Sequence, residues 1–256
     1  MALDGARRAI CEAVDQAAPE LIRMADTIHA QPELGFQEFE AARLLTGALE
    51  TYGAQVERGV AGMDTAFMGW LRGLRERPCV GLVAEYDALP SIGHACGHNL
   101  IGTAAVGALA GLAAVASELP GTAVVMGSPA EEGGGGKVYL LDRGALDSVD
   151  VALGVHPRGG PKNFVAVEPG TGSSLARAII DVAFAGKAAH AAANPFEGIN
   201  ALDAVIQMYS GIGLLRQQLR PEARIHGIIT HGGDAPNIIP AYAAARFYVR
   251  ARSLGY

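Results

Sequence analysis

Cys79-Val80-Gly81-Leu82-Val83-Ala84 is an apolar run without charge or alternation, and Glu85-Tyr86-Asp87 follow it at once. A short continuous apolar run fits a strand buried on both faces, the strand type of a parallel sheet covered by helices. Toward the N-terminus, residues 4–30 carry Ile10, Val14, Ala17, Leu21, Met24 and Ile28 at helical spacing, and Pro32 and Gly35 end that helix. Residues 38–52 read as a second helix with Phe39, Ala42, Leu45 and Leu49 turned inward and Gly53 closing it. Residues 54–58 and 65–71 read as strands. Toward the C-terminus come a helix after His98, a strand over 122–126, a helix over 137–146 and a strand over 151–155. That alternation is α/β architecture.

A composition shift follows Gly170, Gly172 and Ser173. Beyond it a strand over 177–185, a long helix over 198–218 and strands over 224–230 and 243–250 give the first part of a split β-α-β, ferredoxin-like α+β sandwich. That pattern requires another helix and strand after Tyr256. Two domains are expected, 1–172 and 173–256, both incomplete.

Composition excludes several classes. Half of the 256 residues are hydrophobic and 18% charged, which rules out a disordered chain. A net charge of −6 with scattered Lys and Arg argues against a nucleic-acid partner. Cys11, Cys79 and Cys96 are too few, and odd in number, for a disulfide framework, so a reducing compartment is expected. Asp4, Arg7, Arg8 and Glu12 at helical spacing do not form a signal peptide, and a cytoplasmic location follows. Residues 99–117 lack charge and approach the length of a membrane span, but Gly102, Gly107 and Gly111 suit a buried helix packed closely on the sheet. No membrane partner is expected. Cys11 and Cys79 read as small core residues.

Chemistry is expected where polar residues follow strand ends. Asp87, the pair Glu131-Glu132, and His156 each lie just past an apolar strand, where loops of an open α/β sheet converge. His94, Cys96 and His98 lie between Asp87 and the buried helix. Cys, His and Glu side chains suit Zn or a related divalent ion, and Gly97 permits the bend that turns Cys96 and His98 toward one ion. Adjacent Glu131 and Glu132 supply two roles, one ligating while its neighbour abstracts a proton from metal-activated water. The run Gly133 to Gly136 is no phosphate loop, because Val138 follows Lys137 and Glu131 stands where the first glycine belongs. Gly170, Gly172 and Leu175 miss the dinucleotide fingerprint. A Cys96 nucleophile with a His base competes with the metal reading but leaves the Glu pair and His156 unexplained. His190 among alanines reads by itself as a packed or capping residue, and His29, His226 and His231 as structural.

The stretches 29–36 (His29 to Phe36), 84–90 (Ala84 to Pro90), 93–99 (Gly93 to Asn99), 129–137 (Pro129 to Lys137) and 233–240 (Gly233 to Pro240) together resemble peptidase family M20. They are most similar to the branch holding p-aminobenzoyl-glutamate hydrolases, N-acyl-amino-acid amidohydrolases and β-alanyl-lysine dipeptidases. The resemblance spans essentially the whole chain. It implies a two-metal (Zn or Mn) amidohydrolase, a zinc-peptidase-like catalytic domain with an inserted lid domain that forms a homodimer. By position it implies Cys96, His98, Glu132 and His156 as metal ligands, Glu131 as general base and acid, and Asp87 as an orienting carboxylate. It implies further that His190 reaches across the dimer to polarise the scissile carbonyl and that Asn237 lies near a small peptide or N-acyl amino acid substrate.

Asn99, where much of the acyl-amino-acid branch has Asp, and Glu85-Tyr86, where that branch has a different pair, favour the dipeptidase-like group. Relatives of this kind continue to a last metal-binding His, so the chain resembles an N-terminal fragment of the family unit. A metal-dependent hydrolase is therefore expected, with a non-catalytic metal-binding or dimerising fragment as the alternative and a Cys-nucleophile hydrolase behind both.

Overall fold

The computed structural model describes residues 3–158, 175–253 and 255. The chain divides into two compact units, Met1–Phe164 and Val165–Tyr256. The domain boundary expected at 172/173, with Gly170, Gly172 and Ser173, lies outside the described residues.

In the first unit, α1 (Leu3–Ala30) and α2 (Phe39–Thr51) precede β1 (Gln55–Arg58), β2 (Phe67–Arg72), β3 (Cys79–Ala84), α3 (His98–Ala113), β4 (Thr122–Gly127), α4 (Gly136–Asp142) and β5 (Val151–Leu153). The sheet order is β1-β2-β4-β3-β5. β3, β4 and β5 run parallel, while β2 is antiparallel to both β1 and β4. Because Ala84 pairs with Gly127 and Leu82 with Leu153, the three parallel strands end at one edge, and the loops that follow them leave side by side. Every residue of β4 is buried, as a central strand covered on both faces requires.

The helices differ from their expected faces in ways that packing explains. α3 is the buried helix anticipated, but Gly107 and Gly111 face α1 rather than the sheet: a Cβ at either would stand 2.9 Å from Leu21 Cδ1 or Val14 Cγ2. Phe39 is not turned inward; it is 56% exposed, and α2 buries Ala41, Leu45, Thr46 and Leu49 against the sheet while Glu38, just before the helix, is wholly buried. α4 stops at Asp142 instead of continuing to 146, and Gly144 at φ +75° carries the chain away from the helix. Cys11 is exposed, contrary to a core role, whereas Cys79 is buried. No helix of the described residues is long and apolar enough to cross a membrane.

The second unit holds β6 (Ala176–Ala185), α5 (Ala201–Leu215), β7 (Arg224–His231) and β8 (Tyr242–Ala251), in an antiparallel sheet of order β6-β8-β7. Asn200 starts α5, its side-chain oxygen accepting from the N–H groups of Leu202 and Asp203. Ala201 and Val205 of α5 are buried with Ala243, Ala245 and Phe247 of β8 in one small core.

Candidate metal centre

The loop after β3 folds back at Gly97, whose φ of +80° no β-carbon residue adopts cheaply. A Cβ there would also stand 2.8 Å from Pro157 Cγ, so this turn lies directly against the loop after β5. The bend brings Cys96 beside His156, Sγ to Nε2 at 3.5 Å, and starts α3 with His98 fully buried. Both histidines have their outer nitrogen committed. His98 Nδ1 lies 2.8 Å from Asp87 Oδ1, and His156 Nδ1 lies 2.7 Å from the carbonyl oxygen of Pro157. In the neutral ring, an Nδ1–H donated to oxygen leaves Nε2 as a lone pair, the form that ligates metal. Asp87 does more: its Oδ2 accepts the N–H of Glu132 at 2.9 Å, so one buried carboxylate orients His98 and anchors the Glu pair.

These residues fit a divalent ion. Two sets of donor atoms lie within 4.8 Å of one another: Cys96, His98 and His156; and His98, Glu131 and Glu132. Among the described residues, His98 Nε2 and Glu132 Oε1 are buried without a hydrogen-bond partner, which is costly unless something else binds them. Thiolate sulfur at ~2.3 Å and imidazole nitrogen at ~2.1 Å on one tetrahedral ion stand about 3.6 Å apart, close to the 3.5 Å found between Cys96 and His156.

The electrostatics point the same way. Burial, then the Glu132 carboxylate and the charges of Glu131 and Glu85, push the Cys96 thiol up to about 12. A nucleophilic Cys needs its pKa lowered, so this environment opposes the Cys-nucleophile reading. A cation is what would reverse it. Burial alone would lower His98, but the hydrogen bond to Asp87 and the nearby carboxylates outweigh it and hold the imidazole above its ordinary value. Burial would raise Asp87, and the bonds from His98 and the Glu132 N–H overcome that and hold it low.

Sequence reasoning misses Glu38. It is wholly buried; Oε2 accepts from the Thr65 hydroxyl at 2.9 Å and Oε1 from the Ala130 N–H at 2.8 Å. Ala130 has φ +55° and immediately precedes Glu131 and Glu132, so Glu38 holds the strained residue from which that pair projects. Burial raises the Glu38 pKa above its ordinary value, against four hydrogen bonds that lower it. The turn closes on itself at Gly136, where a Cβ would lie 2.0 Å from the Pro129 carbonyl oxygen. An unpaired Glu at the start of a helix carries no signal of this role; only its burial does.

The remaining residues fall outside the cluster. His94 is buried, with its ring 6.3 Å from that of His29, and belongs to neither donor set. In the second unit, His190 is exposed and its Nδ1 accepts the N–H groups of Ala192 and Ala193, a local cap. The loop carrying Asn237 pairs with this turn: the Asn237 carbonyl accepts from Ala191 N–H at 3.0 Å, and Ala189 accepts from Ile239 at 2.9 Å. His190 and Asn237 are thus brought together within one unit.

A family model described as peptidase family M20/M25/M40 matches residues 81–246. The chain is 40% identical over 264 residues to Xaa-Arg dipeptidase of Mus musculus, covering 97% of this chain and 59% of that protein. It is 35% identical over 264 residues to a p-aminobenzoyl-glutamate hydrolase polypeptide of Escherichia coli (strain K12), covering 95% and 53%. The chain therefore spans less than two thirds of the length of these relatives. Among solved structures, the Bacillus subtilis YXEP protein, titled a dinuclear metal binding peptidase, aligns with TM-score 0.61 at 25% identity, over 93% of this chain and 65% of that one. An aminobenzoyl-glutamate utilization protein from Klebsiella pneumoniae shares the fold at TM-score 0.68 and 22% identity, over 96% and 70%.

Proposed function

Since the chain belongs to peptidase family M20/M25/M40, we propose that it carries the metal-dependent site of a hydrolase that cleaves the amide or peptide bond of a small substrate. The substrate class is a dipeptide or an N-acyl or aminobenzoyl amino acid, in keeping with the relatives' names. The supporting observation is that two donor sets, Cys96 with His156 and Glu131 with Glu132, share His98, whose Nε2 is buried without a hydrogen-bond partner.

In this reading Cys96, His98, Glu132 and His156 hold two divalent ions, Zn or Mn. Such ions supply Lewis acidity to the scissile carbonyl and lower the pKa of water. Asp87 keeps the His98 lone pair aimed inward. Glu131, whose side chain is 40% exposed while that of Glu132 is 22% exposed, is the better placed to exchange protons with bulk-derived water. Glu131 takes the proton of the attacking water and returns it to the leaving amine. His190, capped at Nδ1, carries its proton on Nε2 and supplies a donor to the developing oxyanion from a second copy of the chain in a homodimer, with Asn237 beside it. The protein works in the cytoplasm, on free small molecules and without nucleic acid or membrane.

Glu131→Ala tests this. Turnover of dipeptides is expected to fall by about 10²–10⁴, with metal content by elemental mass spectrometry unchanged. Undiminished turnover in that variant would sink the assignment.

A further inference from the structure

Three carboxylates, not two, face the buried ring nitrogen of His98. Its Nε2 lies 3.5 Å from Glu85 Oε2, 3.8 Å from Glu132 Oε1 and 3.9 Å from Glu131 Oε2. An imidazole nitrogen and a carboxylate oxygen sharing one tetrahedral ion at ~2.1 Å stand about 3.4 Å apart. Glu85 comes nearest to that separation; it stands outside both three-donor sets and meets them through His98 alone.

It is also the least exposed of the three, its side chain 11% exposed against 22% for Glu132 and 40% for Glu131. Glu85 is the first residue beyond β3, and its backbone lies beneath α3, where a Cβ on Gly102 would come within 3.0 Å of the Glu85 carbonyl oxygen. The side chain is 11% exposed, and its second oxygen, Oε1, is held 2.5 Å from Lys137 Nζ in the first turn of α4. Lys137 is 42% exposed against 11% for Glu85, so the pair runs from solvent toward the buried ring of His98. A buried carboxylate with one oxygen latched by a cation and the other aimed at an unpartnered imidazole nitrogen has a coordinating atom left over.

We propose that Glu85 is a further ligand of the metal centre through Oε2, with Lys137 pairing Oε1 and competing with the ion for the carboxylate. This rests on the metal-centre reading above. The competing account is a structural ion pair. The two differ in sign. A ligand lost in E85Q weakens metal binding, whereas K137M removes a competing cation and leaves binding unchanged or tighter. A structural pair makes the two variants behave alike.

The experiment is zinc competition against a chromophoric chelator on the purified 256-residue chain, comparing the parent, E85Q, K137M and E132Q, with metal-free melting curves for each. E85Q is expected to bind zinc about tenfold or more weakly, with K137M no weaker than the parent. Parent-like affinity in E85Q, or equal weakening in E85Q and K137M, overturns the role of Glu85. If E132Q is weakened in that same series, the metal centre itself stands. A parent chain that takes up no zinc overturns both. Should E85Q fail to fold, E85D keeps the charge but withdraws the carboxylate by one methylene, and parent-like zinc affinity in E85D overturns the proposal.

Discussion

The turn at His98 and the turn at His190 hold the same side chain in opposite ways. At His98 the ring is fully buried and its Nδ1 lies against a carboxylate, so Nε2 is an acceptor facing other acceptors. At His190 the ring is exposed and its Nδ1 receives two backbone N–H groups, so Nε2 is the donor. The residue behind the ring decides whether an imidazole collects a cation or offers a proton. Asp87 makes the first kind and a bare peptide turn the second.

The contrast can be broken most directly at the two rings. His98→Ala is expected to weaken zinc binding by more than about a hundredfold and to abolish turnover. His190→Ala is expected to leave zinc affinity as it was and to lower turnover by about 10²–10³. Metal loss in the second variant would end the distinction. A smaller effect sharpens it from behind the ring: Asp87→Asn keeps a side-chain oxygen near His98 but removes the charge, and zinc affinity measured by chelator competition should drop by about 10–100-fold. Affinity that holds would mean the lone pair needs no carboxylate to aim it.

The smallest effect concerns Glu38, which supports the Glu pair as Asp87 supports His98. Its folded pKa is raised above the ordinary 4.5. The stability tied to its protonated form is therefore fully present below about that pH and is lost as pH rises through the folded value. Glu38→Gln cannot serve both Thr65 and Ala130 as acceptor and should cost about 1–3 kcal/mol. The gap in melting temperature between parent and variant should be widest in acid and narrow toward neutral pH. A gap that widens with pH would show that Glu38 is stabilised as the anion.

Periodicity and uncharged runs made the α/β order legible, because β3, β4 and α3 contain no Asp, Glu, Lys or Arg, as suits elements buried between others. Periodicity failed at Phe39, since helical spacing marks a stripe without saying where the stripe begins, and here the buried stripe starts two residues later, at Ala41, and continues through Leu45 and Leu49. At the site, Cys96, His98, the Glu pair and His156 were legible as ligand types past strand ends. Asp87, which the resemblance implies as an orienting carboxylate, lies 2.8 Å from His98 Nδ1 and accepts the Glu132 N–H at 2.9 Å. Glu38 and Glu85 were not legible, because each is a single carboxylate whose meaning lies in a partner far along the chain: Ala130 for one, Lys137 for the other. His94 shows the converse, a residue that completes a ligand-like spacing and yet stands outside both donor sets.

The common edge at which β3, β4 and β5 end has a consequence for the order of events during folding. α1 and α2 hold residues close in sequence and can form early, whereas the donors meet only after strands distant in sequence have docked. A chain emerging from the ribosome would expose Cys96 and His98 well before His156 was made, leaving the thiol without its imidazole neighbour. Completion of the Cys96–His98–His156 donor set would therefore belong to the last stage of assembly, and the rate at which that set takes up an ion in refolding should track docking of β5, whereas the His98–Glu131–Glu132 set needs only the loops after β3 and β4.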